Sequence, residues 1–275
     1  MTPPIVASYW TLSGRFPGRE PEYSRFDFEQ RCKTAAHAGF SGLGIWHADL
    51  EHILETRSLP DMKRILDDNG LCHVEVEFLT DWFVTGERKR KSDLRKRQLF
   101  EAAEVLGAEL VKIGDFHREH CPMPELIDAF AELCREAAER GTRVGFEFMS
   151  AAMIDNLADA LTMVEGAGEA NGGIVLDLWH VVNGRIPYDQ IALIPSRHLF
   201  RVEVNDGVLL PDGKPDVNRR YCGEGEFDIE GYIAAVRNTG YDRAWGIELF
   251  ADALQDQPLE SLTTRAYETT ASLFA

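Results

Sequence analysis

The sequence predicts an α/β protein, a (β/α)8 barrel that forms a single domain over residues 1–275. Three observations predict this fold. Eight apolar, strand-like runs alternate with helix-like runs, and the joins between them are short. The length of 275 residues is ordinary for one such barrel. No linker or shift of composition divides the chain, so we expect one continuous domain.

The strand-like runs are rich in β-branched and aromatic residues and are bounded by turn residues. In chain order they cover residues 5–10, 40–46, 71–79, 109–116, 143–149, 173–180, 199–206 and 245–252. The helix-like runs place apolar residues on one face, and several end in Gly, a favourable residue just after a helix. They cover residues 26–39, 60–70, 92–107, 124–141, 156–168, 188–195, 227–240 and 259–274, of which 188–195 is the shortest.

Composition and charge exclude several classes of protein. The formal net charge of −17 repels phosphates, so we expect no nucleic-acid partner. No apolar run reaches the ~18 residues of a membrane span, and the start of the chain does not resemble a signal peptide. The five cysteines are scattered without CxxC spacing, which favours reduced thiols and a cytoplasmic location. The basic run 87–97 is predicted to be the solvated face of a helix.

Four carboxylates lie at or near the ends of the last four predicted strands: Glu147, Asp177, Glu203 and Glu248. Burying an unpaired carboxylate opposes folding, so four in succession need a shared partner. In a (β/α)8 barrel the C-terminal strand ends meet at one mouth, which carries the chemistry. The four acids are therefore predicted to converge on a divalent metal ion. Oxygen ligands favour Mn2+ or Mg2+, with Co2+ or Zn2+ less favoured. The alternative is four structural acids, each paired with Arg or Lys.

The segments GFEF, VLDLWH, GEGEFD and GYDRAWGIELF resemble the xylose isomerase-like TIM barrel superfamily of sugar phosphate isomerases and epimerases. The resemblance covers nearly the whole chain. It implies that Glu147, Asp177 and Glu248 are metal ligands and that Glu147 and Glu248 are also the catalytic acid/base pair. The family's seventh strand reads His-x-x-Asp, whereas this chain has Glu203 in place of the histidine. Either Glu203 is a fourth ligand, or three carboxylates bind the metal more weakly.

The same resemblance implies two kinds of substrate contact. His180 matches a family histidine that contacts a substrate oxygen. An arginine before the Gly-x-Gly turn, Arg219 or Arg220, would bind the substrate, because a guanidinium pairs with a carboxylate, a phosphate or a diol.

Three further residues are weaker candidates for substrate binding. Trp10 and Trp46 end the first two predicted strands, so their rings would face a sugar or an aryl group at the mouth. Packing beneath the loops is the alternative for both. Lys112, in the fourth strand, would either meet a substrate anion or neutralise the acid cluster.

These residues favour a metal-dependent sugar isomerase or epimerase acting through an enediolate on a small sugar-like substrate. A lyase or dehydratase on a keto-sugar, 3-keto-glycoside, keto-cyclitol or dehydroshikimate-like acid shares the same first step and stays open. A non-catalytic sugar binder is a third interpretation. A DNA-repair endonuclease is disfavoured by the acidic charge and the few histidines at strand ends. The sequence leaves open whether the chain forms a homo-oligomer.

Overall fold

A computed structural model describes residues 2–150 and 152–275, so Met1 and Ala151 of the expected domain lie outside the described residues. Eight parallel strands close into a barrel in chain order, and the last strand pairs with the first. The predicted (β/α)8 barrel is therefore confirmed. The strands are β1 (Ile5–Ala7), β2 (Gly42–Trp46), β3 (His73–Leu79), β4 (Leu110–Ile113), β5 (Arg143–Glu147), β6 (Gly172–Asp177), β7 (Leu199–Val204) and β8 (Trp245–Ile247).

Helices cover the outside of the barrel and bury their apolar faces against the strands. Among the described residues, no helix is both long and apolar enough to cross a bilayer. The α-helices are α1 (Tyr9–Ser13), α2 (Phe28–Ala38), α3 (His47–Leu54), α4 (Leu59–Asp68), α5 (Gly86–Leu106), α6 (Met123–Glu139), α7 (Leu157–Ala167), α8 (Leu178–Asn183), α9 (Tyr188–Ile191), α10 (Ile229–Asn238) and α11 (Leu259–Ser272). Two 3-10 turns cover Ser196–His198 and Asp252–Leu254.

The first strand is shorter than the sequence predicts. It ends at Ala7, and the chain then forms α1, which stops at Gly14 with a φ of 63°. A left-handed residue of this kind ends a helical turn, and glycine adopts it without strain. As a result, Trp10 stands at the barrel mouth on a turn of helix instead of on a strand.

Helix α5 is longer than the sequence predicts. It begins at Gly86, six residues before the predicted start at residue 92, and the Ser92 hydroxyl donates to Thr80 O at 2.6 Å. Pairs between Lys89 and Asp93 at 2.5 Å and between Lys91 and Glu87 at 3.3 Å support the added turns. The basic run 87–97 therefore lies inside one continuous helix beside the mouth.

Candidate functional site

Three carboxylates converge at the mouth of the barrel. Glu147 ends β5, Glu203 lies in β7 and Glu248 follows β8 directly. One oxygen from each lies within 4.8 Å of the oxygens from the other two, and all three side chains are buried. Three carboxylate oxygens at this spacing are a suitable ligand set for a hard divalent ion.

Asp177 lies beside this group but is engaged by other side chains. It ends β6 in register with Glu203, and its Oδ1 accepts a hydrogen bond from the His180 amide at the start of α8, at 3.2 Å. Its Oδ2 accepts from Asn205 Nδ2 at 2.8 Å and from Arg219 Nη1 at 3.0 Å. Among the described residues, the convergent group contains Glu147, Glu203 and Glu248 but not Asp177.

Two buried donors hold the Glu203 side chain in place. Lys112 Nζ donates to its Oε1 at 2.7 Å, and the Ser8 hydroxyl donates to the same oxygen. Gly246 on β8 leaves room for it, since a Cβ there would meet Glu203 Cγ at 2.8 Å. Burial alone would raise the pKa of Glu203, but Lys112 and Ser8 outweigh burial and hold the pKa below its usual range.

The other Glu203 oxygen, Oε2, is buried and has no hydrogen-bond partner among the described residues. An ionised carboxylate oxygen that is buried without a partner is costly. Because this residue also belongs to the convergent group, a bound cation would remove that cost. The residues present therefore fit a divalent ion.

The remaining two carboxyls of the group hold protons more tightly than usual. Burial raises the pKa of Glu147 well above its usual range, and the charges of Glu203 and Glu248 add to this while Lys112 offsets only part. Burial likewise raises the pKa of Glu248 to about 8, against the opposing charge of Arg219. Without an ion, both carboxyls are therefore protonated more readily than free glutamic acid, and strongly shifted carboxyls of this kind are typical of functional sites.

A wider network of buried charges surrounds the group. Lys112 Nζ also lies 3.2 Å from Glu77 Oε2, and Arg201 Nε lies 2.9 Å from Glu75 Oε2. Six carboxylates thus face three cations, so the fully ionised network carries three excess negative charges. Protons or a bound divalent ion are needed to balance this excess. The carboxylates are Glu75, Glu77, Glu147, Asp177, Glu203 and Glu248, and the cations are Lys112, Arg201 and Arg219.

The two candidate arginines are separated. Arg219 is buried and donates from Nη1 to both Asp177 and Glu248, while its guanidinium lies 4.5 Å from the centre of the Phe250 ring. Arg220 is exposed, and its backbone pairs with Asp206 to brace the loop after β7. Arg219 is therefore the arginine of the pair that lines the cavity.

His180 also faces the acid cluster. Its Nε2 lies 3.7 Å from Glu147 Oε1, and its Nδ1 has no hydrogen-bond partner among the described residues. Burial lowers the pKa of His180 well below its usual range, and the charges of Arg219 and Lys112 add to this. The ring is therefore neutral and can offer one donor and one acceptor.

Glu147 and Glu248 line a cavity of about 690 Å3, Glu203 is fully buried behind them, and aromatic side chains form much of the apolar wall. Trp10 and Trp46 lie with ring centres 4.9 Å apart, and Phe78 stacks on Trp46 at 5.9 Å. Lys112 is fully buried and does not line this space, whereas its partner Glu77 does. The other aromatic wall residues are Phe16, Phe116, Trp179 and Phe250.

Several polar residues that line the cavity are not among the predicted site residues, and Glu77 and Arg95 are two of them. Glu77 accepts a hydrogen bond from Tyr9 N at 3.0 Å. The spacing of Glu75 and Glu77 gave a signal, because residues i and i+2 of a strand share a face. Arg95 also lines the cavity, although the basic run to which it belongs predicts only a solvated face.

The chain is similar in sequence to a known family and to several enzymes. The sequence profile described as "Xylose isomerase-like TIM barrel" matches residues 32–271. A 3-dehydroshikimate dehydratase of Pseudomonas aeruginosa is 28% identical over 236 residues, which cover 83% of this chain and 37% of that protein. An inosose isomerase of Bacillus velezensis is 22% identical over 238 residues, which cover 79% of this chain and 85% of the relative. The chain thus spans little more than a third of the length of the dehydratase.

Solved structures share the fold. A structure described as IOLI protein with a binding zinc atom superposes with a TM-score of 0.87 at 17% identity, covering 99% of this chain and 98% of that one. A D-allulose 3-epimerase from Methylomonas sp. in complex with D-allulose gives a TM-score of 0.74 at 16% identity, covering 97% and 96%. At these identities the similarity shows a shared fold and nothing more specific.

Proposed function

The chain belongs to the xylose isomerase-like TIM barrel family, and on that basis we propose that it is a divalent-metal-dependent isomerase or epimerase of a small polyhydroxy ketone. The observation that carries the proposal is the group of carboxylates at the cavity. Glu147 and Glu248 line it and converge with the buried Glu203, which offers an oxygen without a partner among the described residues. The proposed substrate is a small molecule, and the reaction requires neither nucleic acid nor a membrane.

Glu147, Glu203 and Glu248 would hold the ion, with Asp177 as the proposed fourth ligand. The all-oxygen set favours Mn2+ or Mg2+, while Co2+ and Zn2+ are less suited to four carboxylates. When bound, the ion would supply the positive charge that polarises the substrate carbonyl and stabilises the enediolate.

Glu147 and Glu248 are the proposed acid/base pair. They reach the cavity from β5 and from the end of β8, and both line it. One carboxylate removes the proton next to the carbonyl, and a proton is returned either to the other face of that carbon or to the neighbouring carbon. The first outcome is epimerisation and the second is isomerisation. A bound ion would lower the pKa values that burial raises, so both carboxyls would be ionised and able to accept a proton near neutral pH.

His180 and Arg219 are proposed to orient the substrate oxygens. Both line the cavity next to the acids, and His180 is neutral while Arg219 keeps its charge. A neutral imidazole can donate to one hydroxyl without repelling the ion. The guanidinium can pair with two neighbouring oxygens. Trp10 and Trp46 would pack against the apolar face of a ring.

Elimination is the second candidate, and two observations favour it. The aromatic walls and the volume of about 690 Å3 provide room beyond a small polyol. A 28% identical relative is a 3-dehydroshikimate dehydratase. A substrate that carries a leaving group next to the carbanionic carbon would lose it after the same proton abstraction, which makes the reaction that of a lyase.

The test is a substrate panel followed by NMR in D2O with Mn2+ present. D-allulose, an inosose and 3-dehydroshikimate represent the open-chain, cyclitol and acidic ketones. Deuterium uptake without loss of a group supports isomerisation or epimerisation, whereas an alkene or enone product supports elimination. Absence of both across the panel contradicts the proposal.

The acid/base roles are tested by Glu147→Gln and Glu248→Gln. Each variant keeps the size and one ligand oxygen but cannot accept the proton. We expect each to lower kcat about 100-fold or more, since general base catalysis contributes about 10²–10⁴. Glu224→Gln is the control, because Glu224 is paired with Arg265 at 2.6 Å on the surface. Near-normal kcat in both site variants, with metal bound, rules out the proposed pair.

A further inference from the structure

Arg95 is an unpaired cation in the wall of the cavity. It projects from α5, is partly buried, and makes no hydrogen bond or ion pair with any of the residues that the structure describes. The other cavity cation, Arg219, is engaged by Asp177 and Glu248. A guanidinium taken partly out of water without a partner is unfavourable, so its position is suited to a ligand.

The acids around Arg95 do not neutralise it by contact. Glu51, Asp81 and Glu22 act on it electrostatically, but none lies within ion-pair distance. Asp81 is paired with Arg88, and Glu22 lines the cavity itself, where its Oε1 accepts from Gly18 N at 2.8 Å. Arg95 therefore keeps its donors free on the cavity side.

The surroundings of Arg95 are otherwise apolar or neutral. Trp46, Phe78 and Phe116 line the cavity along with it, and Phe116 stacks on Phe78 with ring centres 5.4 Å apart. Burial, together with the charge of Arg95, lowers the pKa of His47 to about 3, so this neighbour adds no charge. Near Arg95 the cavity thus offers one positive charge, the carboxylate of Glu22 that does not pair with it, and aromatic surfaces.

We propose that Arg95 forms a second subsite that binds a carboxylate of the substrate, so that the substrate is an acidic hydroxy-ketone. This inference rests on the proposed function and narrows its substrate class. A guanidinium presents two parallel donors that match a carboxylate. A phosphate dianion is less suited, because one charge beside Glu22 and a neutral His47 would not balance it. The cavity, at about 690 Å3, is within the range that holds ligands larger than a simple sugar.

The test compares the binding of an acid with that of its uncharged ester. 3-dehydroshikimate and its methyl ester differ in one ionised group, and their binding to the full chain is followed by tryptophan fluorescence, since Trp10, Trp46 and Trp179 line the cavity. Titrations are run with Mn2+ and again after chelation. We expect the chain to bind the acid about 10- to 150-fold more tightly than the ester, the range for a hydrogen-bonded charged group.

Variants assign the preference to Arg95. Arg95→Gln should remove the difference between acid and ester, and Arg95→Lys should retain part of it, because an ammonium keeps the charge but not the paired donors. Arg97→Gln is the matched control, an exposed residue on the same helix, and should retain all of it. Equal binding of acid and ester, no binding of the acid, or an undiminished preference in Arg95→Gln overturns the proposal.

The outcomes separate this inference from the proposed reaction, because the binding preference is read without turnover. A preference that depends on Arg95, without deuterium uptake on any ketone, leaves the subsite standing and contradicts the proposed reaction. Deuterium uptake on neutral ketones, without any preference for the acid, leaves the reaction standing and contradicts the subsite.

Discussion

At the scale of single residues, Lys112 supplies the positive charge that offsets the cost of burying the acid cluster. Its ammonium is fully buried and lies 2.7 Å from Glu203 and 3.2 Å from Glu77. The acids in turn raise its pKa well above the usual range, although burial alone would lower it. Of the two roles that the sequence predicts for Lys112, a substrate contact and neutralisation of the acids, the contacts favour neutralisation.

We predict that Lys112→Met destabilises the protein by about 3–5 kcal/mol, because removing one partner leaves buried carboxylates without a counter-charge. Urea unfolding would measure the loss. Adding Glu203→Gln to Lys112→Met should recover part of it, since the two residues are coupled. Lys89→Met is the control, because its ion pair is partly exposed and contributes at most about 1 kcal/mol. A loss in Lys112→Met no larger than in this control contradicts the assigned role.

At the scale of elements, the strands position the ligands, and small residues on neighbouring strands make room for them. Glu203 on β7 is in register with Gly246 on β8. A Cβ at Gly246 would meet Glu203 Cγ at 2.8 Å, which is too close for the side chain to keep its place. The position of Glu203 therefore depends on the sequence of the adjacent strand.

We predict that Gly246→Ala weakens Mn2+ binding and also lowers stability by about 1–3 kcal/mol, as overpacking does. Isothermal titration and thermal unfolding would measure the two effects. Gly173→Ala on β6 is the matched control, since its Cβ would meet the Phe200 ring at 2.6 Å, away from the acids. It should lower stability but leave Mn2+ affinity unchanged. Equal Mn2+ affinity in both variants would refute the role of Gly246.

The sequence predicts the elements better than it predicts their contacts. The alternation of apolar runs and short joins is a local signal, and it predicts all eight strands. It overextends β1, because the apolar run continues through Trp10 into a turn of helix. Which residue of a basic run points inward depends on how the helix is rotated against the barrel, so the run 87–97 gives no sign of Arg95. The pairing of Arg219 with Asp177 depends on a loop whose path only the folded chain defines.

At the scale of the whole molecule, stability and metal binding should be linked through pH. The Glu248 carboxyl has a pKa of about 8 and Glu77 one of about 7 in the folded chain, both raised from an ordinary 4.5. A raised pKa contributes stability that is fully present below about pH 4.5 and is lost as pH rises towards the folded value. A divalent ion binds the deprotonated carboxylates, so it competes with these protons.

We predict that the ion-free protein loses stability between about pH 5 and 8, and that Mn2+ stabilises it more at pH 8 than at pH 6. At a Mn2+ concentration about 100 times its dissociation constant, the gain is about 2.7 kcal/mol. Melting temperatures across this pH range, with Mn2+ and with chelator, would test it. Glu248→Gln should flatten the decline in the ion-free series. A Mn2+ effect that is the same at both pH values would contradict the link between protons and metal.

The account depends above all on a divalent ion held by Glu147 and Glu248, which line the cavity, together with the buried Glu203. The most direct measurement is a crystal structure with Mn2+, using anomalous scattering to locate the ion. We expect one peak with oxygens of Glu147, Glu203 and Glu248 at about 2.0–2.4 Å, the range for hard divalent ions, and Asp177 as the fourth ligand. A saturated crystal without a peak among these three side chains, or with an ion that Glu203 does not contact, would contradict the account.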